Sequence, residues 1–381
     1  MSIPELTLHR VYNLLLSLAD LQALQFIAES MGSYKAGRLG SHQACKLHSL
    51  QASELSSLLA SQLPSLKPSR NFEMKMVHYP KSVVIEEQGL RDGLQSEAKV
   101  VPTEKKLEII DALLDAGVKR IQVASFVNPK VIPQMADAEN LFAALKKRTG
   151  VVYSMLVLNP KGMQRAVNAG VSHVTASMSA SNTHSQRNAG MSLNSARRQF
   201  SQMVGIGKQN GLIVRGGIQC AFGCRYEGSI DPNIIMDMLK EQLDLGIDEI
   251  ELADTTGMAD PRAIEEICSP AKTLALNKPV YLHLHDTEGK GLANALAALQ
   301  VGITHFDSTF GGMGGCPFIK GASGNIATED LAFMLEQMGI TAGLDIDKIA
   351  VVSRSLEDFF DKRFAGKMHH LLARGDIQFK R

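Results

Sequence analysis

Two histidines, His283 and His285, offer the clearest chemistry in the sequence. Residues two apart on a β-strand share a face, so both imidazoles point one way while Leu282 and Leu284 point the other. Leucines on the outer face would pack under helices, which directs the histidines to the interior. A single buried histidine is most often a hydrogen-bonded core residue. Two of them at the carboxyl end of one strand favour a metal site.

An arginine and an aspartate follow the first predicted strand, where Arg91 and Asp92 precede Gly93. The carboxylate suits a hard cation, and the guanidinium suits an anionic substrate beside that cation. The alternative is an ordinary charged turn, because the same residue types also form turns. Taken alone, the motif does not separate these two interpretations.

A glycine-rich loop follows the last predicted strand, with four glycines in the five residues before Cys316. Such a backbone can move and can approach a ligand closely. A cysteine at the tip of the loop is exposed enough to exchange protons, and the alternative is an incidental thiol. Asn325 opens the next predicted helix, either as its N-cap or as a metal ligand through its amide oxygen.

Short β-branched segments alternate with amphipathic ones from Tyr79 onward. Several predicted helices end at a glycine that leads into the next strand, such as Gly117 and Gly246, which is typical of an αβ loop. Eight such units across about 265 residues predict an α/β fold, a (β/α)8 TIM barrel over residues 76–345, with chemistry at the carboxyl ends of the strands. A doubly wound open sheet is the competing fold, but no Gly-x-Gly-x-x-Gly follows the first strand. The predicted strands are 83–87, 120–125, 151–157, 173–177, 213–220, 249–253, 280–284 and 305–308.

The two ends of the chain differ from this pattern. Residues 1–75 are rich in serine and leucine, and two of their segments have helical apolar spacing. We interpret them as an N-terminal extension, either helical or the product of an incorrect start, with Met74 or Met76 as the true first residue. Residues 346–381 are predicted to form a C-terminal helical segment.

The composition excludes several classes of partner. Lys and Arg total 40 against 39 Asp and Glu, a net charge of +1, which argues against nucleic acid and against a polybasic membrane surface. No apolar run reaches the roughly 18–20 residues of a membrane span. Five scattered cysteines, an odd number, favour a reducing compartment over secretion, so we predict a cytoplasmic protein.

Seven stretches resemble, in order and with similar spacing, the 3-hydroxy-3-methylglutaryl-CoA (HMG-CoA) lyase family, within the superfamily of metal-dependent aldolases and Claisen-type enzymes. The resemblance covers about residues 81–345. Its most specific parts are the loop ending in Gly-Gly-Cys-Pro and the Gly-Ala-Ser-Gly-Asn that follows. The stretches are 91–97, 125–130, 222–228, 254–257, 283–287, 311–318 and 321–330.

The resemblance implies a divalent cation and a reaction. The cation would be Mg²⁺ or Mn²⁺, which suit a mixed set of nitrogen and oxygen ligands. The reaction would be retro-Claisen cleavage of a CoA thioester, HMG-CoA, to acetyl-CoA and acetoacetate. This reaction belongs to leucine degradation. The enzyme would be a homo-oligomer, a dimer. The implied metal ligands are Asp92, His283, His285 and Asn325.

The same reaction assigns roles to four residues. Cleavage needs the tertiary hydroxyl deprotonated, which a cation favours by stabilising the alkoxide. The departing carbon leaves as a thioester enolate, and Arg91 is the available cation to stabilise it. Cys316 is the candidate acid that protonates the enolate. Either Asp92 or His283 is the general base, and the sequence does not distinguish them.

Substrate binding is assigned to Arg91, Gln95, Gln122 and Glu251, two of which depart from the family. The family has a glutamate at the position of Gln122, and the lyases carry a small polar residue such as serine at that of Glu251. We interpret Glu251, predicted to point into the barrel, as partly replacing the charge lost at Gln122. The alternative is a buried ion pair or a glutamate that reaches solvent. Further departures are Glu86, Gln88, Leu90 and Arg225.

These departures leave the substrate open. HMG-CoA is the default, and the second hypothesis is an aldolase or Claisen enzyme for another branched 3-hydroxy acid or thioester. A third hypothesis is a barrel that binds its ligand without turnover. The residues that argue against the third hypothesis are Asp92, His283, His285, Asn325 and Cys316.

Overall fold

Eight parallel strands form a closed barrel in the computed structural model, which describes residues 79–316 and 319–373. The strands are β1 (Val84–Glu87), β2 (Arg120–Ser125), β3 (Val152–Val157), β4 (His173–Ser179), β5 (Ile213–Gln219), β6 (Glu249–Ala253), β7 (Val280–His283) and β8 (His305–Ser308). Each strand pairs with the next, and β8 pairs with β1. The predicted (β/α)8 barrel is confirmed. The predicted extension of residues 1–75 lies outside the described residues.

Helices connect the strands. The last helix of the barrel begins at Thr328, later than the helix predicted to follow directly after Asn325. The helices are α1 (Thr103–Asp115), α2 (Ala138–Ala144), α3 (Pro160–Asn168), α4 (Asn182–Ala189), α5 (Leu193–Gln209), α6 (Pro232–Asp244), α7 (Pro261–Ala275), α8 (Gly291–Gln300), α9 (Thr328–Gln337), α10 (Ile346–Phe360) and α11 (Met368–Ala373). A short hairpin, β9 (Gly315–Cys316) with β10 (Ile319–Ser323), precedes α9.

Glycine is required where α1 turns into β2. Gly117 has φ +94°, a backbone conformation that side chains with a Cβ rarely adopt. A Cβ there would also lie 2.4 Å from the carbonyl oxygen of Gly343. The predicted role of glycine at this helix end therefore rests on both conformation and space.

The two faces of each strand meet different surroundings. On β6, Ile250 and Leu252 are fully buried in the apolar layer that the helices share. The residues between them, Glu249 and Glu251, face the barrel interior because side chains alternate along a strand. The alternation places the apolar core outside the barrel and polar groups within it.

The barrel interior contains a buried ionic cluster centred on Arg215. Its guanidinium lies 2.6 Å from Glu86, 3.1 Å from Asp307 and 3.3 Å from Glu249. It also lies 3.6 Å from the centre of the Tyr281 ring. Barrels of this type are usually filled with branched aliphatic side chains, so charge here is a distinguishing feature of the chain.

We expect Arg215→Ala to lower the free energy of unfolding by about 3–5 kcal/mol, because buried carboxylates would lose their partner. The matched control is Arg148→Ala, whose side chain is 39% exposed and pairs with Asp111 and Asp115. The control should have a much smaller effect, because ion pairs in contact with solvent contribute little to stability. Urea unfolding of both variants measures the difference, and equal losses would contradict the expectation.

The C-terminal helices pack beside the loop that follows β8. The backbone nitrogen of Gly366 donates to the carbonyl of Gly311 at 2.8 Å. The Asp330 carboxylate accepts from the backbone nitrogens of Lys367 and Met368. These bonds hold the base of the glycine-rich loop. None of the described helices is long and apolar enough to cross a membrane.

Candidate active site

Arg91 and Asp92 lie in a single π-helical turn, Gly89–Gly93, directly after β1. The Gln88 carbonyl accepts hydrogen bonds from the backbone nitrogens of Arg91, Asp92 and Gly93 at 3.1, 2.8 and 3.2 Å. Such turns are frequent at functional sites. Both charged side chains are buried at the carboxyl end of a barrel strand. The alternative of an ordinary charged turn at the surface is therefore wrong for these two residues.

Three buried side chains from opposite ends of the barrel sequence converge at this mouth. The Nε2 atoms of His283 and His285 lie 3.2 Å apart, and each lies 3.7 Å from Oδ2 of Asp92. Two nitrogens that bind one cation at about 2.1 Å are roughly 3.0–3.4 Å apart, so the observed spacing fits a cation between them. The three residues could hold a divalent metal ion.

Asn325 reaches the same point. Its Nδ2 donates to Oδ2 of Asp92 at 2.5 Å and to the Met313 carbonyl at 3.2 Å. Its Oδ1 is buried and has no hydrogen-bond partner among the described residues. An amide flip would give up both of these hydrogen bonds and turn the oxygen toward the cation position. The alternative role as an N-cap is wrong, because α9 begins at Thr328 and its N-cap is Ala327.

The Arg91 guanidinium is fixed by three acceptors. It donates to the side-chain carbonyls of Gln88 and Gln122 and to the Asp92 carboxylate. Gln122 in turn donates its amide nitrogen to Thr175 at 3.2 Å, which orients its oxygen toward Arg91. Two of the three groups that hold the guanidinium are therefore uncharged.

Gln95, assigned to substrate binding, contacts Asp92 in the structure. Its Nε2 donates to Oδ1 of Asp92 at 2.8 Å. Asp92 thus receives hydrogen bonds at both carboxylate oxygens, from Gln95 and Arg91 at one and from Asn325 at the other. These bonds fix the orientation of the carboxylate.

The charges of the site influence one another. Burial opposes ionisation of Asp92, but the guanidinium of Arg91 and both histidines hold its pKa well below the usual range. Burial likewise lowers the pKa of His283, yet Asp307 and Asp92 raise it to about 10. A proton and a cation compete for the same imidazole nitrogen, so metal binding would release protons.

Glu251 points into the barrel but does not bond to Arg91. Its Oε2 lies 3.5 Å from Nη1 of Arg215, so the structure matches the alternative of a buried ion pair. Burial and the neighbouring Asp307 carboxylate raise the pKa of Glu251 to about 7. Glu251 lies in the ionic cluster beneath the site, whereas Gln122 contacts Arg91 directly.

The glycine-rich loop begins against the candidate metal-binding cluster, which consists of Asp92, His283, His285 and Asn325. Gly314 has φ +109°, and a Cβ there would lie 2.7 Å from Nδ2 of Asn325. The backbone of Cys316 forms the start of the β9–β10 hairpin. The Cys316 side chain lies outside the described part of the chain.

Asp307 is a site residue that the sequence analysis missed. Its Oδ2 lies 3.4 Å from Nδ1 of His283. A signal was present in the sequence, because His305 and Asp307 are two apart on β8 and share the inward face. The pairing partner on the neighbouring strand became visible only in the fold.

A second group of possible ligands joins Glu357, His369 and His370 near the C-terminus. His369 is fully buried within the C-terminal helical segment. Arg363 donates to Nε2 of His370 at 3.1 Å, so a cationic group already occupies this position. The mouth of the barrel is the better candidate for a metal ion.

Comparisons with known proteins agree with this geometry. The family model described as HMGL-like matches residues 82–356. The mitochondrial hydroxymethylglutaryl-CoA lyase of Bos taurus is 40% identical over 271 residues, which is 71% of this chain and 83% of that protein. The cytoplasmic 3-hydroxy-3-methylglutaryl-CoA lyase of Danio rerio is 42% identical over 270 residues, 71% of this chain and 81% of that protein.

Solved structures give the same result. The hydroxymethylglutaryl-CoA lyase of Pseudomonas aeruginosa has a TM-score of 0.75 at 35% identity, covering 78% of this chain and 99% of that one. An HMG-CoA lyase of Acinetobacter baumannii, solved with coenzyme A and 3-methylmalate, has a TM-score of 0.74 at 37% identity, covering 80% and 100%. The predicted resemblance is confirmed, and the chain belongs to the HMGL-like family.

Proposed function

We propose that this chain is a carbon–carbon lyase that cleaves HMG-CoA to acetyl-CoA and acetoacetate by a retro-Claisen reaction. The observation that carries the proposal is the convergence of His283, His285 and Asp92 beside a fixed Arg91 at the barrel mouth. Relatives at about 40% identity are named for this reaction. The reaction needs a cation beside a second positive group, and this site offers a cation position next to the Arg91 guanidinium.

We assign the cation position to Mg²⁺ or Mn²⁺. Asp92, His283, His285 and the amide oxygen of Asn325 would hold the ion, since mixed oxygen and nitrogen donors suit these metals. The orphaned Oδ1 of Asn325 supports this ligand set. When bound, a divalent cation favours ionisation of a hydroxyl group that contacts it.

The chain's own residues then account for the proton transfers. Asp92 and His283 are the two groups at the site that can accept the hydroxyl proton. Arg91 stabilises the enolate that departs, and its three fixed partners mean that it needs no reorganisation during the reaction. We assign protonation of the enolate to Cys316, which is supported by the position of Gly314 against Asn325.

A second candidate function is cleavage or formation of another branched 3-hydroxy acid or thioester. The uncharged Gln122 beneath Arg91 and the buried Glu251 favour it, because both alter the charge under the acyl site. In this view Gln95, Gln122 and Glu251 determine which acyl group binds. Glu251 would act through Arg215, since its ion pair is with that residue.

The test is release of acetyl-CoA from a panel of thioesters by the metal-replete protein. Release from HMG-CoA supports the first function, and release only from another branched 3-hydroxyacyl-CoA supports the second. A protein that binds metal but cleaves no thioester overturns both and supports a ligand-binding barrel. The cytoplasmic location and the dimer remain predictions, since the relatives include proteins named cytoplasmic and mitochondrial.

A double variant, Gln122→Glu with Glu251→Ser, tests the acyl selectivity. We expect kcat/KM for HMG-CoA to rise by about tenfold relative to other thioesters, the scale of one pocket contact. The control is Gln164→Glu, which repeats the Gln→Glu half of the double variant at an exposed position on α3. Unchanged or weaker cleavage of HMG-CoA in the double variant would refute a selectivity role for these two residues.

A further inference from the structure

The two histidines of the metal-binding cluster are held differently. Nδ1 of His283 is buried and forms no hydrogen bond of standard geometry, but it lies 3.4 Å from Oδ2 of Asp307, within reach of one after a small rotation of the ring. Nδ1 of His285 is buried and has neither a hydrogen bond nor an ion pair among the described residues. Among the described residues, His283 has a carboxylate oxygen within 4 Å of its Nδ1 atom, and His285 does not.

The position of Asp307 is set by the barrel itself. β7 and β8 are neighbouring parallel strands, and His283 and Asp307 are direct partners in their register. Both side chains face the interior, and the Asp307 carboxylate is fully buried. The pairing of the two side chains follows from backbone register and does not depend on a flexible loop.

Asp307 is in turn anchored by Arg215. Nη1 of Arg215 lies 3.1 Å from Oδ1 and 3.4 Å from Oδ2 of Asp307. The other guanidinium nitrogens contact Glu86 at 2.6 Å and Glu249 at 3.3 Å. The carboxylate thus cannot turn away from His283 without breaking a buried ion pair.

We infer that Asp307 is a positioning residue for His283. It accepts the Nδ1 proton of His283, which fixes the tautomer and directs the Nε2 lone pair toward the cation position. Arg215 holds Asp307 in place, which gives this arginine a role in metal binding as well as in folding. The inference rests on the metal site of the proposed function.

The test is titration of the metal-free protein with Mn²⁺ by calorimetry. Asp307→Asn should weaken Mn²⁺ binding by roughly 10–100-fold, the usual effect of losing such a partner. The matched control is Glu86→Gln, which removes one carboxylate from the same Arg215 but has no contact with His283. The control should bind Mn²⁺ with the affinity of the unaltered protein. All titrations are made at a temperature below the melting transitions of both variants. Unaltered binding in Asp307→Asn, or equal weakening in Glu86→Gln, would overturn the inference.

A second measurement does not depend on a variant of Asp307. In the Mg²⁺-loaded protein labelled with ¹⁵N-histidine, the Nδ1 of His283 should carry a proton, with its resonance assigned from His283→Gln. An Nδ1 without a proton would overturn the inference. Neither measurement uses a thioester, so the inference and the proposed function can fail separately. If Mn²⁺ binding depends on Asp307 but the protein cleaves no thioester, the proposed function is wrong and the inference holds.

Discussion

Asp92→Asn is expected to lower kcat by about 10³-fold or more. A bound cation contributes several kcal/mol of charge stabilisation, and about 1.4 kcal/mol corresponds to a factor of ten in rate. Asp92 faces both histidine Nε2 atoms, and Asn325 and Arg91 bond to it. Loss of its charge therefore weakens the cation site and leaves the guanidinium without the one anionic partner that it has among the described residues.

The measurement is kcat on the thioester that the protein cleaves, together with Mn²⁺ affinity. Asp260→Asn is the control, because Asp260 is the exposed N-cap of α7 and asparagine caps a helix equally well. The control should keep both kcat and metal affinity. If Asp92→Asn kept Mn²⁺ affinity and lost less than about tenfold in kcat, the metal site would lie elsewhere.

Cys316→Ala is expected to lower kcat by about 10²–10⁴-fold, the contribution of a positioned acid in proton transfer. Metal affinity should not change, because the thiol is assigned to the enolate and not to the cation. The same variant should slow the exchange of the acetyl-CoA methyl protons with deuterium from heavy water. That exchange reports the proton transfer alone, without carbon–carbon cleavage.

Cys268→Ala provides the comparison for this variant. Cys268 is a fully buried thiol on α7, and burial raises its pKa far above the usual value. Its removal should leave kcat and exchange unchanged. Equal activity of Cys316→Ala and the unaltered protein would reduce Cys316 to a bystander on the loop.

Local periodicity was sufficient to predict the barrel and the direction of its key side chains. The alternation of strand and helix, with glycines such as Gly117 between them, repeats along the chain and needs no long-range information. Likewise, the spacing of two between His283 and His285 decides that both share one face.

Assignments that depended on a single residue type were less secure. Asn325 is a good N-cap residue by type, but the turn into α9 begins three residues later, and its side chain instead meets Asp92. Glu251 was assigned to the substrate, yet its partner is Arg215 on the adjacent strand. A residue type limits the possible partners without selecting among them.

The sequence alone therefore determined the fold class and predicted the donors of a metal site, while the tertiary structure decided which groups meet. Arg91 bonds to Gln122 across 31 residues, and His283 faces Asp307 from the neighbouring strand. Such contacts depend on the register between paired strands and on the closure of the barrel, which bring one layer of inward side chains from all strands to the same height. A local pattern gives the face of a strand on which a side chain lies but not its height in the barrel, because height is a property of the assembled sheet.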